Sequence, residues 1–200
     1  MFEENSMNFY AISNYNSGYD RQAAAFYAEK YAEFPNLNEY PYYNGDDCTN
    51  FVSQALSAGG MYAEKGKWDS YECWFCNTKE SRELKKVSIT WRAARYFRKY
   101  WGSENGSGRK RAYKYGKIPP KDAILNFNEL YEILNIGDVV QYSDQAHNNY
   151  PYHTQIICRK AGSDFLMAQH TANAKNVSLY EYLNMIQDQP ESFIHIYIIA

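Results

Sequence analysis

The stretch Gly45-Asp46-Asp47-Cys48-Thr49-Asn50-Phe51-Val52-Ser53-Gln54-Ala55-Leu56 reads as a turn that delivers a cysteine into the first turn of a helix. Phe51, Val52, Ala55 and Leu56 recur at helical spacing, Asp46 and Asp47 sit where an N-cap is expected, and Gly59-Gly60 stops the run near residue 58. A helix start carries partial positive charge and unpaired N–H groups. A thiol placed there is expected to ionise more readily, and its own N–H can hold an oxyanion. Taken alone, a cysteine at a helix start is more often a small buried hydrophobe than a nucleophile.

Outward from this segment the chain divides into two kinds of pattern. Upstream, residues 1–17 are polar and rich in Asn, Ser and Tyr, an N-terminal arm, and residues 18–200 form one domain. Tyr19 to Tyr31 is a strong helix former with Ala24, Tyr27, Ala28 and Tyr31 on one stripe. Residues 61–87 mix Trp68, Tyr71, Trp74 and Phe75 with charges and read as a long ordered loop. A helix is expected over Thr90–Trp101, capped by Ser88 or Thr90, and another over 121–134 behind Pro119-Pro120. Between them, Gly102 to Gly116 reads as an exposed, glycine-rich excursion. From Gly137 the period becomes two: 138–142, 153–160, 165–170 and 193–199 read as strands. Helices followed by an antiparallel sheet make an α+β fold.

A thiol nucleophile needs a base, and the base needs a third group to hold its orientation. Two of the four histidines, His153 and His170, flank a hairpin whose turn is Ala161-Gly162-Ser163-Asp164. A four-residue turn there pairs Lys160 with Phe165, sets His153 opposite Ala172 and makes His170 its diagonal neighbour on the same face, within roughly 8 Å. A two-residue turn places the histidines directly opposite. An odd turn separates them, so the pairing depends on register. Cys158 falls on the face away from His153 and reads as core, His195 as a packed histidine, and His147 as solvent-facing.

With 21 basic and 23 acidic residues the formal net charge is -2, which excludes a general nucleic-acid binder with a basic footprint. The cluster Arg109-Lys110-Arg111 reads as a solvated loop. No apolar run approaches the roughly 20 residues of a membrane span, and localisation stays open: an exported mature form or an excised cell-wall domain would read the same way. Aromatic residues make up 18% of the chain, enough to line a cleft for peptide or glycan. A single Cys73-x-x-Cys76 pair without histidine partners is a weak metal signal.

These residues carry a family resemblance. The Cys48 run with Ala58-Gly59-Gly60, the upstream Tyr19-Asp20-Arg21-Gln22-Ala23-Ala24 and Ala28-Glu29-Lys30-Tyr31, and the downstream Gly137-Asp138-Val139-Val140-Gln141-Tyr142, His153-Thr154 and Gln169-His170-Thr171 together resemble the bacterial putative amidase domain family, itself similar to NlpC-type cysteine peptidases. The resemblance implies a papain-like fold, an amide substrate such as a peptidoglycan peptide, no cofactor, and a triad of Cys48 as nucleophile, His153 as base and His170 as third member. Cys48 N–H is one expected oxyanion donor, with Tyr42, Tyr43 or Asn44 as candidates for the second. The competing readings are a non-catalytic binding module for cell-wall glycan or peptide on the same fold, and a metal-binding protein using Cys73 and Cys76.

Overall fold

The computed structural model describes residues 10–11, 18–102 and 111–200. Its centre is a seven-stranded sheet of antiparallel pairs in the order β1-β2-β7-β3-β4-β5-β6. The strands are β1 (Tyr10–Ala11), β2 (Lys114–Ile118), β3 (Val139–Ser143), β4 (Pro151–Ala161), β5 (Asp164–Gln169), β6 (Ala174–Ser178) and β7 (Phe193–Ile198). The arm expected over residues 1–17 lies outside the described residues except for Tyr10–Ala11, which pairs with β2.

Helices cover both faces of the sheet, one layer more than the sequence pattern suggested. On one face lie α1 (Arg21–Tyr31), α2 (Cys48–Ala58), the short α3 (Ile89–Arg92) and α4 (Ala94–Trp101). They share a core with the sheet residues Val139, Ile156, Cys158, Ala168 and Tyr197. On the other face, α5 (Pro120–Leu125), α6 (Phe127–Ile133) and α7 (Leu179–Ile186) close over Val140, Tyr142, Ile157, Phe165 and Met167. Strand alternation assigns each residue to a core, so both layers depend on register.

Helix α2 runs over the residues its pattern indicated and is buried from Cys48 to Leu56. Burying side chains such as Phe51, Val52 and Leu56 contributes about 1.5–3 kcal/mol each, enough to fix the helix against the sheet. Gly60, with φ +91, ends it in the left-handed region, and a Cβ there would meet Gly18 O at 2.9 Å. Asp20 caps α1 by accepting from Ala23 N–H at 2.9 Å. The Arg21 guanidinium joins the start of α1 to the buried Asp138 carboxylate, just before β3, at 2.7 Å.

Several elements depart from the sequence pattern. The helix expected over Thr90–Trp101 begins at Ile89 and breaks at Ala93, whose backbone is extended (φ −131, ψ 125). Ser88 occupies the cap position without capping: its hydroxyl accepts from Phe75 N–H at 3.0 Å. The helix over 121–134 is two helices divided at Asn126. Of the excursion after Gly102, residues 103–110 lie outside the described ones, but 114–118 form β2 with Tyr115 buried. Strand β6 and helix α7 gave no clear sequence signal; Ser178 caps α7 by accepting from Glu181 N–H at 3.0 Å.

Candidate functional site

The register of the β4–β5 hairpin decides what surrounds Cys48. Near the turn the expected four-residue register is present, with Lys160 opposite Phe165 and Ala161 opposite Asp164. Beyond Arg159 a bulge at Cys158 absorbs one residue, and the pairing continues as Ile157 to Met167 and Ile156 to Ala168. One extra residue reverses the parity of every position further along. Gln169, not His170, therefore shares a face with His153 and Gln155. His170 turns to the opposite face.

The side chains confirm the reversal. His153 Nε2 lies 2.9 Å from Gln169 Oε1. Gln155 Nε2 donates to the same oxygen at 2.5 Å, while Gln169 Nε2 donates to Ala172 O at 2.9 Å. With Nε2–H donating to an amide oxygen, the neutral imidazole carries its lone pair on Nδ1. The ring is roughly parallel to those of Tyr142 and Tyr182, with centroids 6.1 and 6.2 Å away. Burial pushes its pKa below the ordinary value, opposed by the Gln169 contact.

Cys48 is buried against the backbone of β4 at the residue that precedes His153. Its Sγ lies 4.0 Å from Tyr152 O, the carbonyl immediately before His153, and 3.7 Å from Thr49 Oγ1. The hydroxyls of Thr49 and Thr154 meet at 2.8 Å, joining the first turn of α2 to β4 on either side of His153. Gln141 Nε2 extends this contact by donating to Thr154 Oγ1 at 2.9 Å, and Tyr197 OH donates to Gln141 Oε1 at 2.6 Å. Burial raises the Cys48 thiol pKa, opposed by the Thr49 and Thr154 contacts. The easier ionisation expected from the helix start is therefore overcome by desolvation, and the thiol and imidazole are both driven toward their neutral forms.

His170 sits on the α2 side with its ring stacked on Phe51 at 4.0 Å between centroids. Its Nδ1 meets Asp47 Oδ2 at 2.5 Å and its Nε2 meets Tyr31 O at 2.9 Å, so a third-member position beside His153 is not where its nitrogens point. Asp47 Oδ1 accepts from Tyr43 N–H at 2.8 Å and from Asn50 Nδ2 at 2.9 Å. Asp47 thus stands at the N-cap position of α2 without making a side-chain capping bond, contrary to the role read from the sequence. The Asp47 N–H itself donates to Thr171 Oγ1 at 3.1 Å. Thr171 and Ala172 are both left-handed, with φ of 64 and 61, and turn the chain away from β4 where Cys48 packs.

The three candidates for a second oxyanion donor are placed differently. Tyr42 sets its ring edge-on to His170 at 5.8 Å, Tyr43 gives its N–H to Asp47, and Asn44 lies in the exposed turn. His195 is enclosed, with Nδ1 2.7 Å from Tyr115 OH and Nε2 2.8 Å from Ser143 Oγ. His147 is half-exposed, pairs with Asp144 at 2.7 Å and stacks on Tyr152. Cys73 Sγ points to Lys67 O and Cys76 Sγ to Thr78 O, and among the described residues no group of three or more His, Cys, Asp or Glu is arranged to hold a metal ion.

The same residues lie within a known family. The family model described as a putative amidase domain matches residues 18–197. The chain belongs to that family. This amidase-family domain is 32% identical over 186 residues, 86% of its own length, to the uncharacterized protein YjcM of Bacillus subtilis (strain 168), and it spans 37% of that protein. No solved structure matches it. No helix among its described residues is long and apolar enough to cross a membrane.

Sequence reading alone missed Gln169 and the Asp47–His170 pair. Gln169 adjoins His170 in the sequence, so parity was the signal, and only the bulge at Cys158 sets it.

Proposed function

We propose that this amidase-family domain is a papain-like cysteine hydrolase that cleaves an amide bond, with Cys48 as nucleophile, His153 as base and Gln169 orienting the base. The observation that carries this reading is the placement of Cys48 Sγ at the carbonyl of Tyr152, the residue before a histidine whose Nε2 is held by an amide oxygen and whose Nδ1 is left for a proton.

Because burial disfavours both charged forms, the resting pair is thiol and neutral imidazole. His153 Nδ1 takes the thiol proton as Sγ attacks the carbonyl, and the oxyanion forms at the N–H groups of the first turn of α2. Collapse of that intermediate breaks the C–N bond, the imidazolium returns its proton to the leaving amine, and a thioester remains. Water, deprotonated by the same imidazole, then releases the acid.

The substrate class we infer is a peptide amide, with a peptidoglycan stem or cross-link amide as the first to test. Purified cell wall should release new amine termini, read by mass spectrometry, with wild-type protein and not with Cys48→Ala. Equal release by both would overturn the reading.

The burial of Cys48 favours a second reading, a binding module that retains the fold without turnover. Cell-wall fragments retained without cleavage by both wild type and Cys48→Ala would establish it.

A further inference from the structure

An aspartate before a helix ordinarily turns its carboxylate onto the first-turn N–H groups, which satisfies them and takes them away from any other ligand. Asp47 does not do so. Its ψ of −1 departs from the extended backbone typical of a cap, and both carboxylate oxygens are engaged elsewhere: Oδ2 by His170, Oδ1 by Tyr43 N–H and Asn50 Nδ2. His170 is itself fixed, because Tyr31 O accepts from its Nε2–H, Phe51 stacks on its face, and the left-handed turn at Thr171 follows it. The pair is fully enclosed, with exposures of 0% and 1%, so the contact between carboxylate and imidazole is not diluted by solvent.

Resting on the nucleophile reading of Cys48, we infer that His170 is a positioning residue that holds the Asp47 carboxylate off the start of α2, leaving the N–H groups of the Cys48 turn to bind the oxyanion. It acts through Asp47 and not through His153. This separates it from a third catalytic member, whose loss would disturb the base. When the imidazole is removed, Oδ2 of the buried carboxylate is left without a partner while Oδ1 keeps Tyr43 N–H and Asn50 Nδ2, and Oδ2 turns to cap the helix. Removing the carboxylate as well leaves the N–H groups without a competitor.

Two probes of Cys48 isolate the effect. Iodoacetamide alkylates the thiolate by displacing iodide and forms no oxyanion. p-Nitrophenyl acetate acylates it through a tetrahedral oxyanion: the Sγ–C bond forms, the C–O bond to p-nitrophenolate breaks, and the thiol proton passes to His153. Rates are taken relative to Cys48→Ala, which subtracts the other cysteines, and the readout is the ratio of acylation to alkylation. His170→Phe, which keeps the stack on Phe51, should lower the ratio by at least about tenfold, on the scale of losing an oxyanion donor. The double variant His170→Phe/Asp47→Ala should restore it to within about threefold of wild type.

A double variant no better than the single one, or a single variant equal to wild type, would overturn the inference. If His170→Phe alone fails to fold, the double variant carries the test against wild type: a matching ratio supports the inference and a tenfold deficit overturns it. Wild-type protein that releases p-nitrophenolate no faster than Cys48→Ala would overturn the nucleophile reading and this inference together.

Discussion

The two hairpin histidines make a controlled comparison. Both are buried, both lie at the far end of the β4–β5 hairpin from its turn, and each has one ring nitrogen on a neutral oxygen acceptor. They differ in which face they take and in what meets the other nitrogen. His153 faces the α7 side among tyrosines, with Gln169 as its partner and Nδ1 left over. His170 faces α2, where a carboxylate holds the second nitrogen. One ring keeps a nitrogen outside its hydrogen bond, and the other has both nitrogens engaged. The partner, more than the residue type, decides the task.

The strongest way to break this comparison is to remove the two groups of the proposed reaction. Cys48→Ala and His153→Ala should each lower turnover of an amide substrate by more than about a thousandfold while the melting temperature stays within a few degrees, measured by product release and thermal denaturation. A His170→Ala protein that loses as much turnover, with an altered pH profile, would make the two histidines partners after all.

Next comes the orienting amide. Gln169→Leu should lower kcat by about ten- to a hundredfold, since a catalytic base contributes on the order of a hundredfold or more and this one would lose its hold. The sign of the pH effect follows from burial. In the proposed reaction His153 acts as a base only when neutral, and burial holds its pKa below the ordinary 6.5, so the acid limb of kcat/KM should fall below that pH in wild type. Gln169→Glu supplies a carboxylate that favours the imidazolium, so its acid limb should move to higher pH. An acid limb that stays in place in Gln169→Glu would show that this contact does not govern the base.

On the other side of the comparison, Phe51→Ala should cost about 3–5 kcal/mol of stability, because it removes a fully buried ring and the stack beneath His170. Its acid limb should match wild type, which a pH profile checks directly. The smallest effect is expected at Cys158. Burial pushes that thiol up to about 12, so Cys158→Ala should leave turnover within about twofold, and the native thiol should resist iodoacetamide.

The parts of this molecule that were legible in the sequence are those dictated by local periodicity. Helix α2 was readable from its apolar spacing and its glycine stop, and β7 from the alternation of Ile194, Ile196 and Ile198. Cys48 and His153 were readable as a thiol at a helix start and an imidazole on a strand. What was hidden depends on contacts between distant residues. Ala93 is an ordinary helix former, yet it breaks a helix because residues on both sides are drawn into the Trp74–Trp91–Trp101 core. Asp47 reads as a cap, and only the arrival of His170, 123 residues away, takes its carboxylate elsewhere. The face of His170 turned on a single bulged residue that no alternation pattern reveals.

That bulge also determines how the hairpin can vary in length. Adding or removing two residues at the Ala161–Asp164 turn leaves the parity of the strands unchanged, so such variants keep Gln169 beside His153. Deleting Cys158 itself would only close the bulge, because Arg159–Leu166 and Ile157–Met167 would become consecutive pairs and Gln169 would stay on the face of His153. The hairpin therefore tolerates paired changes at its tip and loss of the bulged residue, whereas one residue inserted between Ala168 and Gln169 must form a new bulge or bring His170 in place of Gln169 to the face of His153.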